Sequence, residues 1–196
     1  MCFTIHNLPP RSQAAICNVA EAYHTIPIIS EQWPGLVIKL LDEDKYAINT
    51  CNNFGLTSAS GIYSEVRDAT LDIFRAQGIS LISMWVDDHI FFQILKEHWA
   101  SYNAKCQLWH ATITQNGGRS QSGSQIWYPG ESIPDDLPAE FNEDASHPIS
   151  DHSRTSDRSF PDSLFTFCDA DIDLISNKLG IPWEPSKLVP FSSVVP

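Results

Sequence analysis

Apolar and polar positions change most informatively around Asp87 and Asp88: Ile79, Leu81, Ile82, Met84, Trp85 and Val86 precede the two acids, and Ile90, Phe91, Phe92 and Ile94 follow them. Two β-prone runs either side of a short acidic break predict strand, tight turn, strand, because Asp accepts turn conformations that β-branched and aromatic residues avoid. This places two acids at a hairpin tip. Upstream, residues 14–19 predict a short buried strand, and residues 20–25 a helical turn that packs Tyr23 into the core and is stopped by Ile26-Pro27-Ile28. Residues 35–41 and 46–51 flank a polar break and predict a second hairpin.

Helical spacing predicts a helix over residues 60–76, with Ile62, Val66, Ala69, Ile73 and Phe74 on its buried face, Arg67, Asp68 and Asp72 opposite, and Gly78 ending it. A second helix over residues 95–114 carries Trp99, Tyr102, Cys106, Trp109 and Ile113 as a core stripe. A third, over residues 169–179, has acids in its first turn, Lys178 in its last and Gly180 just beyond. Residues 131–162 are acidic, Pro- and Ser-rich and poor in apolar side chains, which predicts a mobile insertion. The expected organisation is a lead-in loop (1–13), a core (14–114), a flexible acidic insertion (115–168) that includes a short strand at Ile126-Trp127-Tyr128, and a returning helix and loop (169–196). The tail stops within a β-like run, as a cut chain would.

At 196 residues, 42% of them hydrophobic, the chain has the material for one domain with a core. No run is long and apolar enough to span a bilayer, and the N-terminus lacks the basic start and apolar stretch of a signal peptide, so an intracellular protein, cytoplasmic or nuclear, is expected. Five scattered cysteines without a C-x-x-C pair predict reduced thiols rather than a zinc site or a disulfide framework. The formal net charge of −12 argues against a free-standing nucleic-acid binder, which meets phosphates with Lys and Arg. Much of that charge lies in the insertion and the helix after it, where it suits a basic protein partner.

Asp87 and Asp88 are the leading candidates for chemistry. Adjacent acids repel, so a tip turned into a cleft calls for a divalent cation such as Mg²⁺, whereas a solvated tip is an ordinary surface turn. The chain contains no phosphate-cradling G-x-x-x-x-G-K, no H-E-x-x-H and no G-x-S-x-G. His147 and His152 flank Asp151 in a loop-like segment, and solvent-facing or hydrogen-bonded roles are expected for His24 and His89.

Three pieces assemble in order. Asn18-Val19-Ala20-Glu21-Ala22-Tyr23, then Phe54-Gly55-Leu56-Thr57-Ser58-Ala59, then Trp85-Val86-Asp87-Asp88 resemble the first three palm motifs of reverse transcriptases. Asn18 and Asp87 are 69 residues apart, and Gly55 and Asp87 are 32 apart, as the resemblance requires. It spans residues 16–92 and resumes over 172–195, where Leu179-Gly180-Ile181-Pro182-Trp183-Glu184-Pro185-Ser186-Lys187 is similar to the helix and lysine loop that follow the catalytic hairpin. The flavour is that of reverse-transcriptase-like retroelement (retrotransposon) proteins of mushroom-forming fungi.

The resemblance implies an α+β fold: a reverse-transcriptase palm of the split β-α-β, ferredoxin-like type, its sheet backed by helices. It implies the lineage of an RNA-directed DNA polymerase, a nucleotidyltransferase acting on an RNA or DNA template-primer and dNTP with Mg²⁺ or Mn²⁺. In that family three carboxylates hold two metal ions that activate the primer 3′-hydroxyl and stabilise the leaving pyrophosphate. Carried over, Asp87 and Asp88 match the catalytic, metal-holding hairpin pair, Tyr23 the residue under the sugar, Phe54 and Gly55 the nucleotide-pocket turn, and Lys187 the proposed general acid.

Asn18 departs from the pattern, since the family has an aspartate there. A lost unit charge about 4 Å from a cation is worth roughly 4 kcal/mol at an effective dielectric near 20, so a loss of at least about a thousandfold in rate is expected. Glu21 offers a substitute only if its side chain turns inward. The family's thumb, primer-gripping hairpin and ribonuclease have no counterpart, so template-primer binding is expected to be weak or absent. The alternatives are a catalytically silent interaction module or a transposon remnant.

Overall fold

The computed structural model describes residues 7–41, 44–53, 55–120, 126–129, 140–143, 148–154 and 157–193. Strand β1 (Gln13–Asn18) lies inside a four-stranded antiparallel sheet. One neighbour is β5 (Asp88–Gln93), which forms a hairpin with β4 (Ile82–Trp85) at the sheet edge; the other is β9 (Val189–Ser193) at the opposite edge. The register sets Cys17 opposite His89 and Asn18 opposite Asp88. Three helices accompany the sheet: α1 (Ala59–Ala76), α2 (Trp99–Gln115) and α3 (Asp169–Leu179). The described structure is thus mixed α+β.

Side chains alternate across a strand, so the sheet has two distinct faces. On one, Cys17, Ile82 and Phe91 pack with Leu71 and Phe74 of α1 and Ile172 and Ile175 of α3. On the other, Phe92 packs with Leu81, Ile94, Ile149 and Tyr102 of α2. Asn18 and Asp88 share this second face with Ala14, Ile90 and Phe92, at the end of β1 where the strand meets the hairpin turn.

A separate hairpin pairs β2 (Val37–Lys39) with β3 (Tyr46–Ile48). A three-stranded sheet joins β6 (Arg119–Ser120), β7 (Ile126–Pro129) and β8 (Glu140–Glu143). The strand expected at Ile126-Trp127-Tyr128 is therefore present.

The first helix forms where its pattern places it but buries only Phe74 of the expected face. Tyr63, Leu71 and Phe74 are buried, whereas Ile62, Val66 and Ile73 are 44%, 46% and 39% exposed. Phe74 is buried as expected, and Tyr63 and Leu71 take the core positions expected of Ile62, Val66 and Ile73. The third helix ends as expected, with Gly180 in the left-handed conformation at φ 69°.

Residues 148–168 fall in the segment expected to be a flexible insertion, yet their described part is packed. Ile149, Phe165, Thr166 and Phe167 are buried. The amide of Ser150 donates to Gly78 O at 3.0 Å, that of Thr166 to Ile94 O at 3.0 Å, and the Asn103 side chain pairs both ways with the Ile149 backbone. Gly78, at φ 87°, also leaves the room that Ser150 fills, since a Cβ there would stand 2.2 Å from the Ser150 hydroxyl. Residues 121–125, 130–139, 144–147 (with His147) and 155–156 of the expected insertion lie outside the described residues. Among the described residues, no helix is long and apolar enough to cross a membrane.

Candidate functional site

The hairpin turn between β4 and β5 is built from Val86 and Asp87, with Trp85 paired to Asp88 across it. Val86 has φ 55°, in the left-handed region that a β-branched side chain resists. Such strain persists only where neighbours over-determine the backbone, and here they do. The amide of Val19 donates to Asp87 O at 3.1 Å, and His89 Nδ1 donates to the same oxygen at 3.2 Å.

The buried side chain of Asn18 closes the cluster. Its Nδ2 donates to Asp87 Oδ2 at 2.8 Å and to Asp88 Oδ1 at 2.7 Å. A primary amide has two N–H donors, and each finds one carboxylate. Its Oδ1 accepts from Lys187 Nζ at 3.3 Å. Lys187 reaches this point because residues 182–187 dock on the end of β1: Ala20 N donates to Pro182 O at 2.7 Å, Glu184 N donates to Asn18 O at 2.8 Å, and Val19 forms a bridge with Trp183. The 3₁₀ turn Pro185–Lys187 is capped by Glu184, whose carboxylate accepts from the Ser186 amide and hydroxyl.

This wiring fixes the orientation of the amide. Reversing it would set Oδ1 against two carboxylates and Nδ2 against an ammonium, losing all three hydrogen bonds. A cation between Asp87 and Asp88 would likewise face N–H groups rather than a carbonyl. The residues present therefore do not fit a two-metal centre. Among the described residues, no group of three or more His, Cys, Asp or Glu side chains is placed to hold a metal ion. Glu21 does not turn inward: it is exposed, with φ 49°, and its carboxylate lies 4.0 Å from His24 Nδ1.

Of the other candidates, Tyr23 is buried in the 3₁₀ turn Ala22–Thr25, its ring 5.3 Å from that of Tyr63 among Val19, Ala22 and Ala59. That is the core position its local sequence predicts. Gly55, just ahead of α1, adopts φ 93° with open space where a Cβ would stand, so backbone conformation explains the glycine. Phe54 lies outside the described residues.

Three residues gather behind the turn: His89, hydrogen-bonded rather than solvent-facing, Arg67, expected only on the outer side of α1, and Tyr63, which the sequence reading did not name. His89 is 1% exposed, stacks edge-on against Trp183 at 5.1 Å and leaves Nε2 without a partner. Burial pulls its pKa down to about 4, helped by Arg67 and opposed by the hydrogen bond to Asp87 and the charges of both aspartates. Burial pushes the Tyr63 hydroxyl up to about 12, with the Asp87 charge adding to the effect and Arg67 opposing it. Arg67 itself binds Asp68 through Nε at 3.0 Å and Nη2 at 2.8 Å. These side chains line a cleft of about 380 Å³ between α1 and the Gly180–Pro182 loop. One signal was legible for His89: strand alternation sends it to the face opposite Asp88.

No protein-family model matches the chain, and no curated protein matches it either.

Proposed function

We propose that this chain is a reverse-transcriptase-like palm whose carboxylate centre has become a structural hydrogen-bond cluster, with little or no polymerase activity. The observation that carries the reading is the Asn18 amide donating to Asp87 and Asp88 together. The amide replaces the charge of the family's aspartate with two donors, and so balances locally the repulsion that a cation would otherwise offset. Supporting the fold side of the reading, the sheet order β4-β5-β1-β9 with α1 between β1 and β4 and α3 before β9 is a split β-α-β arrangement, with α2 inserted after β5. Lys187, which the resemblance matches to the family's lysine loop, lies beside Asn18, in keeping with this reading.

In this reading Asp87 and Asp88 are acceptors that hold the turn, and Lys187 orients Asn18 rather than protonating a leaving group. Primer extension on a DNA-primed RNA template with dNTP and Mn²⁺ tests it. The parent chain is expected to incorporate nothing above an Asp87→Asn, Asp88→Asn control, and incorporation that this control abolishes would overturn the proposal.

A second reading is a silent interaction module, which the exposed apolar side chains of the β2–β3 hairpin favour: Val37, Tyr46 and Ile48 are all exposed there. A basic protein partner for the acidic segment belongs to this reading. Salt-sensitive capture of such a partner, lost on mutating the acids, would distinguish it from a bare remnant.

A further inference from the structure

Asn18 and Lys187 meet from distant parts of the chain, 169 residues apart, with Lys187 Nζ donating to Asn18 Oδ1 at 3.3 Å. A carbonyl bond is about 1.23 Å long, so Nζ stands no farther than about 4.5 Å from Cγ of the same amide. Lysine is a primary amine on a flexible four-carbon stem, and a modest turn of that stem carries Nζ over the amide carbon. Neighbouring Glu184 does not clamp it, because that carboxylate is turned to the Ser186 amide and hydroxyl.

The amide is held on its other side by acids. Nδ2 donates to Asp87 Oδ2 at 2.8 Å and to Asp88 Oδ1 at 2.7 Å, so the amide nitrogen already touches two groups able to carry a proton. Asn18 is only 5% exposed, which keeps water from its amide carbon, whereas Lys187 is exposed and exchanges protons with solvent. The nucleophile at hand is therefore the amine rather than water. Amine, amide and carboxylates are brought together by β1, the hairpin turn and the 182–187 segment docked on β1. Such positioning gives reacting groups an effective concentration far above that of free molecules.

We propose that the folded chain joins Asn18 and Lys187 through an intramolecular isopeptide bond. Lys187 first gives one proton to solvent, and the freed lone pair of Nζ forms a bond to Asn18 Cγ. A second Nζ proton passes by way of the Asp87 or Asp88 carboxylate to Nδ2. The Cγ–Nδ2 bond then breaks, its electron pair leaves with ammonia, and the ammonia takes up a proton from solvent. One ammonium and one primary amide become one secondary amide and one ammonium, so no oxidant or outside reactant is consumed. The bond closes a loop over most of the chain and ties the 182–187 segment to β1. It depends on the hydrogen-bond cluster described above and not on descent from a polymerase, so primer extension and the measurement below fail separately.

The test is the intact mass of the purified full chain after incubation in mildly alkaline buffer, with a tryptic digest of the same sample. The parent should become lighter by one ammonia, and the digest should contain a branched peptide that joins the Asn18 and Lys187 segments and is uncut after Lys187. Lys187→Arg keeps a cation beside Asn18 without offering an amine, so it should retain its full mass. A parent chain kept unfolded in urea should retain it too. Asp87→Asn, Asp88→Asn should slow the loss by about a hundredfold, the lower end for general acid–base catalysis, and an equal rate there overturns the step as written. Full mass in the parent, or the gain expected for hydrolysis of Asn18 to Asp, overturns the proposal. So does ammonia loss without the branched peptide, the mark of a succinimide at Asn18, even if Lys187→Arg does not fold. A folded Lys187→Arg that loses ammonia as fast as the parent overturns it as well.

Discussion

Asn18 and Asp88, paired across β1 and β5, are joined by a 2.7 Å hydrogen bond from the Asn18 amide to the Asp88 carboxylate, and the other N–H of that amide holds Asp87 at 2.8 Å. Each is a charge-assisted bond, of the kind worth about 1.5–3 kcal/mol. Asn18→Ala should therefore cost about 3 kcal/mol or more, since it also leaves two neighbouring carboxylates unbridged. Urea melts check this. In an Asp87→Asn, Asp88→Asn background the same substitution should cost clearly less, and an equal cost in both backgrounds would mean that the amide matters only for packing.

The neutral, buried His89 makes stability depend on pH in a definite direction. Its folded pKa of about 4 lies below the ordinary 6.5, so below pH 6.5 the unfolded chain takes up a proton that the folded chain refuses. The contribution is complete above pH 6.5, is lost as the pH falls toward 4, and amounts to the order of 3 kcal/mol. His89→Phe should flatten the stability curve across that window. Parallel curves for the two proteins would contradict the assignment.

Arg158 and Asp171 form a buried ion pair, Nη2 to Oδ2 at 2.7 Å, with side chains 4% and 8% exposed. The same carboxylate oxygen accepts from Cys168 N at 2.8 Å and caps α3, and Arg158 Nη1 donates to Phe165 O at 3.2 Å. Removing one member of a buried pair typically costs about 3–5 kcal/mol. Arg158→Leu should fall in that range by thermal or urea denaturation, which a residue in a loose insertion would not do.

Val86, at φ 55°, stores strain at the hairpin tip. Glycine relieves it without a Cβ, against an entropic cost of about 0.5–1 kcal/mol. Val86→Gly should leave the chain about 1 kcal/mol more stable. A destabilisation of similar size would show that the valine side chain contributes packing that outweighs the strain.

What the residues revealed by themselves was local. The Asp87 hairpin, the strand through Asn18 and the helix ended by Gly180 follow from turn, strand and cap chemistry acting over a few residues. The inward face of α1 followed only at Phe74, because Ile62, Val66 and Ile73 complete as good a stripe as Tyr63 and Leu71 do, and only the sheet opposite decides between them. Ile149 and Phe167 were hidden in a Pro- and Ser-rich stretch, since the residues they cluster with, Leu81 and Phe92 for the first and Leu71 for the second, lie far away in the chain. At the site, an uncharged amide at Asn18 could be read directly. That its amide would be clamped between two aspartates and Lys187 required β1, β5 and the 182–187 segment to converge.

The most direct measurement is the melting temperature of the parent and of Asn18→Asp, each in EDTA and in Mn²⁺. A ligand held only by the folded state stabilises it by about 2.7 kcal/mol at a hundredfold excess over Kd, several degrees for a chain of this size. The account predicts a parent indifferent to Mn²⁺, and an Asn18→Asp variant that is weakened in EDTA by three crowded carboxylates and raised several degrees by the metal. A parent stabilised by Mn²⁺, with the effect lost in Asp87→Asn, would contradict it.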